Sequence, residues 1–147
     1  MKKVCFVCLG NICRSTMAEF VMKSLVEEDG LIIESRGTSN WEQGNPIHSG
    51  TQNILKSYAI PYDSNKKSQQ VTKEDLATFD YIIGMDQNNV ADLRKLSAGH
   101  WDEKIFLFNH EGVPDPWYTG DFEETYRLVL KGCQEWLDTI KYNKDMS

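Results

Sequence analysis

Cys8-Leu9-Gly10-Asn11-Ile12-Cys13-Arg14-Ser15 decides the reading of this chain. A thiol is followed by five residues, an arginine and a hydroxyl. The apolar run Val4-Cys5-Phe6-Val7 precedes the stretch and an amphipathic one, Met17 to Val26, follows it, which reads as strand, tight loop and helix. A loop between a strand end and a helix start offers backbone N–H groups to an anion, and the helix dipole adds to them. Arg14 carries a planar fork that matches two oxygens of a phosphate. The same positive field favours the thiolate form of Cys8, the form that attacks. Gly10 and Asn11 are residue types that tolerate a left-handed backbone, which a loop folding its amides inward needs. Ser15, or Thr16 paired with Glu19 in a capping box, supplies the helix start. A phosphate cradle with a nucleophilic sulfur at its floor follows, and with it phosphoryl transfer through cysteine. The plain alternative is a buried structural cysteine in an ordinary turn.

Working outward, strand-like runs recur at Lys3 to Val7, Leu31 to Ser35, Tyr81 to Met85 and Ile105 to Phe108. Helical patterns fall between them: Met17 to Val26, Ser49 to Tyr58, a short Lys73 to Ala77, and Asn88 to Leu96. Phe122, Tyr126, Val129, Leu130, Cys133, Trp136, Leu137 and Ile140 then recur at three- and four-residue steps, one face of a long helix. These aromatics read as core and Cys133 as a buried structural thiol. Strands alternating with helices predict an α/β fold: a four-stranded parallel sheet with helices on both faces, flavodoxin-like and doubly wound. Ligands of such sheets sit at the carboxyl ends of the strands near a switch in strand order, where the Cys8 loop lies.

The chain has 147 residues, and no repeat or linker divides it, so one domain is expected over 1–147. That length buries about two-thirds of the unfolded surface. No apolar run approaches the about 20 residues that span a bilayer, and no apolar signal core opens the chain, so a cytoplasmic protein without membrane contact is expected. A net charge of −6 argues against nucleic acid or anionic lipid as partners. Anion affinity must therefore be local.

Cys5, Cys8, Cys13 and Cys133 are the cysteines, and free thiols are expected of them. Cys5-Phe6-Val7-Cys8 is formally the spacing of a dithiol redox motif, but residues three apart on a strand face opposite ways. No second pair of ligands has zinc spacing, and His48, His100 and His110 are scattered.

A thiolate attacking a phosphate ester needs a general acid near the leaving oxygen, an effect of about 10² to 10⁴ in rate. Asp115 is the best candidate, in the loop Val113-Pro114-Asp115-Pro116, where two prolines restrict the direction of its carboxyl. As residues alone, it reads equally as a turn aspartate. The ionised aspartate could then serve as base when water attacks the phosphocysteine. Ser15 is placed to donate a hydrogen bond to the Cys8 sulfur. Trp41, after the second strand, and Trp117-Tyr118, after the acid, could form an aromatic wall deep enough for a phosphotyrosine ring. Asp86 is placed to orient Arg14 or to cap the helix beginning near Asn88.

Over nearly its whole length the chain resembles the low-molecular-weight protein tyrosine phosphatases of bacterial type. The resemblance rests on Val7 to Ser15, on Gly37-Thr38-Ser39 with Trp41, on Gly84-Met85-Asp86 and on Asp115-Pro116-Trp117-Tyr118. It implies a phosphotyrosine phosphatase with no metal or cofactor and a phosphocysteine intermediate on Cys8. Arg14 would bind the phosphate, with Leu9, Gly10, Asn11, Ile12, Cys13 and Ser15 completing the loop, and Asp115 would be the proton donor. Tyrosine-phosphorylated proteins would be the partners and inorganic phosphate the product. A monomer is expected, with a weak dimer as the alternative. In the family an asparagine, a serine and a histidine brace the loop; Asn11 and Ser35 fall at the first two positions. Asn65-Lys66-Lys67-Ser68 offers lysine or asparagine in place of the histidine, and Thr16 stands where the family has proline. Some loss of rigidity, not of activity, is expected from Thr16. A loop that curls its amides together brings Cys8 and Cys13 near each other, and the resemblance supports their pairing as a protective disulfide.

Three competing functions share such a loop. An arsenate reductase needs further cysteines to relay a disulfide, and Cys133 stands alone on a core face. A phosphoarginine phosphatase of related sequence has threonine where this chain has Ile12, and a smaller aromatic context after the acid. A non-catalytic phosphate-binding module would need neither Cys8 nor Asp115.

Overall fold

Four parallel strands in the order β2-β1-β3-β4 form the sheet: β1 Lys2–Cys8, β2 Leu31–Gly37, β3 Tyr81–Gly84 and β4 Ile105–Leu107. The computed structural model describes residues 2–26 and 30–146, the side chains of 142–146 excepted. Between the strands lie α1 (Arg14–Leu25), α2 (Ser49–Ser57), α3 (Lys73–Thr78) and α4 (Gln87–Ser97), and after β4 come α5 (Pro116–Thr119) and α6 (Phe122–Met146). The expected doubly wound α/β architecture is the observed one.

Alternation along β1 builds two cores. Val4, Phe6 and Cys8 face a layer made by α1, α2 and α6, which includes Met17, Leu55, Val129, Cys133 and Ile140. Cys5 and Val7 face the other way, onto Leu76, Phe79, Val90 and Leu93 of α3 and α4 and the segments beside them. The sheet is covered on both sides because its central strand is apolar at every buried position. Gly132 lets α6 lie close: a Cβ there would collide with the Phe108 ring.

The order 2-1-3-4 means that the chain leaves β1 toward one edge and returns past it to β3. The loop after β1 lies at that reversal, where the flanking connections diverge and leave a crevice. Loops after β2, β3 and β4 open on the same carboxyl edge.

Three local expectations are corrected. The helix begins at Arg14, not Met17, and neither Ser15 nor Thr16 caps it: the cap position is Cys13, without a side-chain cap bond. Both hydroxyls and Glu19 are engaged elsewhere, Thr16 Oγ1 donating back to the Cys13 carbonyl at 3.0 Å. Asn11 has φ 56°, but Gly10 is not left-handed. What glycine supplies at position 10 is space, since a Cβ would stand 3.3 Å from Glu42 Cγ. The short helix α5 was not legible either, because Pro116 reads as a turn residue although it suits a first helical position.

Candidate active site

The carbonyls of the Cys8–Arg14 loop are tied outward. Thr38 N donates to Cys8 O at 2.8 Å, Ser39 N to Leu9 O at 3.1 Å, and His48 N to Ile12 O at 2.9 Å. Ser39 Oγ adds a bond to Leu9 O at 2.9 Å and Ser68 Oγ holds Gly10 O at 2.7 Å. Cys13 O accepts from Met17 N at 3.0 Å. A trans peptide points its N–H opposite to its C=O, and no peptide here is cis. Anchoring the carbonyls to the scaffold therefore turns the next amides toward the loop interior, and Asn11 N reaches Cys8 Sγ at 3.2 Å. Gly37 permits the close approach of β2 to this loop; a Cβ there would press on Leu9 O and Asn11.

Cys8 Sγ also lies 3.0 Å from Ser15 Oγ. That hydroxyl accepts from Asn11 Nδ2 at 2.8 Å, so its one proton is free to point at the sulfur. Asn11 is held at three points: its amide also donates to Ser35 Oγ at 3.0 Å and accepts from Gln69 N at 3.0 Å. These bonds secure the strained left-handed residue.

Arg14 is 3% exposed. Its Nη1 donates to Asp86 Oδ2 at 2.6 Å and to Val113 O at 3.0 Å, and its Nη2 lies 3.5 Å from Asp115 Oδ2. Burial works to lower its pKa, but Cys8, the Asp86 bond and the Asp115 charge outweigh it, and the net shift is upward. Nε is buried without a protein partner, a donor suited to an oxyanion at the loop. Asp86 fills both roles considered for it, since Oδ1 caps α4 at Asn89 N, 2.8 Å away.

A cleft opens above the sulfur. Cys8, Leu9, Gly10, Ile12 and Cys13 form its floor, and Trp41, Glu42, Asp115, Trp117 and Tyr118 its sides. The three aromatics are 75%, 56% and 76% exposed, so they are not core residues. Asp115 caps α5, accepting from Trp117 N at 3.1 Å, and this bond fixes the carboxyl beside the aromatic wall. His48 backs that wall: its ring meets Trp117 edge-on at 5.6 Å and stacks on Phe122 at 5.2 Å.

The structure thus gathers the loop, Asp115 and the three aromatics around one cleft, with Ser35 and Asp86 behind it. A model of the family described as low molecular weight phosphotyrosine protein phosphatase matches residues 3–146. This chain belongs to that family. It is 41% identical to the low molecular weight protein-tyrosine-phosphatase PtpA of Staphylococcus epidermidis, over 95% of this chain and 94% of that protein. It is 40% identical to YfkJ of Bacillus subtilis, of the same description, over 99% and 100%. The crystal structure of a low molecular weight protein tyrosine phosphatase from Streptococcus pyogenes superposes with a TM-score of 0.94 at 65% identity, covering 98% of both chains. A Drosophila arginine phosphatase superposes at 0.86 with 30% identity, covering 96% of this chain and 98% of that one.

Within this phosphatase scaffold, sequence reasoning missed the hydroxyl clamps Ser39 and Ser68, the wall residue Glu42, and the backing by His48. The run Gly37-Thr38-Ser39 was a signal for the first, but its role as a carbonyl anchor depends on the register of β1 beside β2, which pairs Cys8 with Gly37.

Proposed function

We propose that the chain hydrolyses phosphotyrosine in proteins, and simple aryl phosphates, through a phosphocysteine on Cys8. The observation that carries this reading is the loop whose carbonyls are anchored outward around one sulfur, with the buried Arg14 Nε free of any protein partner. The Cys8 thiolate attacks phosphorus, and the bond to the phenolic oxygen breaks. Asp115 gives its proton to that oxygen. Asp115, now ionised, takes a proton from water as the water attacks phosphorus, and inorganic phosphate leaves with the Cys8 thiolate restored. The Asn11 amide and the Ser15 hydroxyl stabilise the sulfur as nucleophile and again as leaving group, and the loop amides with Arg14 stabilise the oxygens whose charge grows between. The exposed aromatics reach a phenyl ring standing above the loop and leave a phosphoserine short of it. The four cysteines are free thiols.

Phosphoarginine is the second reading, favoured by the Glu42 side chain on the cleft wall, which would complement a guanidinium. The bulk of Ile12 and the aromatic pair Trp117-Tyr118 favour the phenyl ester. Arsenate reduction would need a relay thiol, and Cys133 is fully buried in the core.

The experiment compares turnover of phosphotyrosine, phosphoserine and phosphoarginine peptides by the wild type and Cys8→Ser, with mass spectrometry of acid-quenched enzyme for a phosphocysteine. Phosphotyrosine is expected to be hydrolysed fastest. Cys8→Ser is expected to lose turnover and still bind phosphate. Wild-type rates in Cys8→Ser would refute the mechanism, and faster phosphoarginine turnover would replace the substrate.

A further inference from the structure

Asn11 sits at φ 56° in the middle of the loop, a conformation a non-glycine residue keeps only when its surroundings impose it. One imposing group is Ser35 Oγ, which accepts from Asn11 Nδ2. A hydroxyl can accept there reliably only if its proton is directed elsewhere. Ser35 donates to Glu19 Oε1 at 2.5 Å, and an ionised carboxylate only accepts. The charge on Glu19 therefore sets the orientation of Ser35, which in turn holds Asn11.

Glu19 is nearly inaccessible, its side chain 5% exposed. A buried carboxylate stays ionised only with compensating charge. Two lysines supply it. Lys23 Nζ meets Oε2 at 2.7 Å, but Lys23 is 45% exposed and one helical turn away, a geometry of small worth in water. Lys66 Nζ lies 3.5 Å from Oε1 with its side chain only 13% exposed. It also donates to the main-chain oxygen of Ser35 at 3.1 Å. Lys66 thus grips both the backbone of Ser35 and the carboxylate that orients its hydroxyl. Two residues on, Ser68 Oγ holds the Gly10 carbonyl, so this connection braces the loop from both sides.

We propose that Lys66, through Glu19 and Ser35, is a positioning residue for the phosphate loop, in place of the histidine that the family resemblance leads one to expect. The inference rests on the phosphatase reading above for its activity readout, and on oxyanion binding independently of it.

The test is Lys66→Met, close to lysine in length and without charge, beside Lys66→Arg. Turnover of p-nitrophenyl phosphate and inorganic phosphate affinity by calorimetry are read together with thermal melting. Lys66→Met is expected to lower kcat between about 10- and 100-fold, as for a displaced catalytic frame, and to weaken phosphate binding. Lys66→Arg is expected to restore most of both. If Lys66→Met does not fold, Lys66→Gln takes its place in the same comparison. Wild-type kcat and phosphate affinity in the uncharged variant would overturn the inference. So would a Lys66→Arg protein as impaired as the uncharged one, or a fall in melting temperature with turnover per folded molecule unchanged. A wild type that binds phosphate without hydrolysing the ester would instead refute the phosphatase reading, leaving the binding comparison to judge Lys66.

Discussion

Arg14 and Asp86, 72 residues apart in sequence, meet at 2.6 Å behind the phosphate loop, and the same carboxylate caps α4. One side chain thus joins the start of α1 to the start of α4 across the mouth of the sheet. The two duties are separable. Asp86→Ala removes both, and should cost about 1 kcal/mol in the cap besides lowering kcat/KM. Asp86→Asn retains a capping oxygen but removes the nearer of the two carboxylate charges beside Arg14. It should melt near the wild type while losing about tenfold in kcat/KM, the effect of one charge-assisted bond. Denaturant melts and initial rates of both variants check this, and wild-type rates in Asp86→Asn would remove Asp86 from the orientation of Arg14.

Asp115 lines the same cleft as Cys8, Trp41, Trp117 and Tyr118, and in the proposed reaction it protonates the leaving oxygen. Asp115→Asn should reduce kcat by about 10² or more. The loss should shrink as the leaving group becomes more acidic, because a good leaving group needs less protonation. Rates across a series of substituted phenyl phosphates measure this. A uniform loss across the series would exclude Asp115 as donor.

Cys13 lies on the same cleft floor as Cys8. Burial pushes its thiol pKa up, and the charges of Cys8 and Asp115 push the same way, so it rests as a neutral thiol. Peroxide would convert the Cys8 thiolate to a sulfenic acid, removing one of those charges. The Cys13 thiol could then displace water from it to form a disulfide, which a thiol reductant reverses. After peroxide and then reductant, the wild type should recover far more activity than Cys13→Ser. Equal recovery, or a Cys8–Cys5 bridge on peptide mapping, would show that Cys13 does not protect the nucleophile.

Cys5 and Cys133 are fully buried, and desolvation raises both of their thiol pKa values far above the ordinary range. The folded chain keeps these protons where the unfolded chain releases them. Their contribution to stability is complete below about pH 8.5 and is lost as the pH rises beyond it, by about 1.4 kcal/mol per pH unit for each thiol. Urea melts should therefore show stability falling steeply between about pH 9 and 10.5, and Cys133→Ala should flatten that fall. An unchanged slope in Cys133→Ala would show that Cys133 does not contribute to the alkaline loss.

The alternation of apolar strands with amphipathic segments was enough to specify the sheet class, because side-chain periodicity is local and burial follows from it. The eight residues from Cys8 to Ser15 were enough to suggest the anion loop and nucleophile proposed above, since thiol, arginine and turn formers each carry chemistry of their own. Asp115 has one local signature for two readings, a turn aspartate and a proton donor; the folded loop makes it the cap of α5 and also brings its carboxylate to the cleft lined by Cys8, 3.5 Å from Arg14 Nη2. Glu19 shows the opposite failure. Its spacing from Thr16 suits a capping box, yet tertiary contact with Ser35 and Lys66 outweighs that short-range bond. The sequence alone therefore determined the layers of the fold and pointed to the chemistry proposed for its central loop. The tertiary structure decided which hydroxyls anchor the loop carbonyls, which carboxylate faces Arg14 and which lysine supports Asn11, because those partners come together only when strands distant in sequence pair side by side.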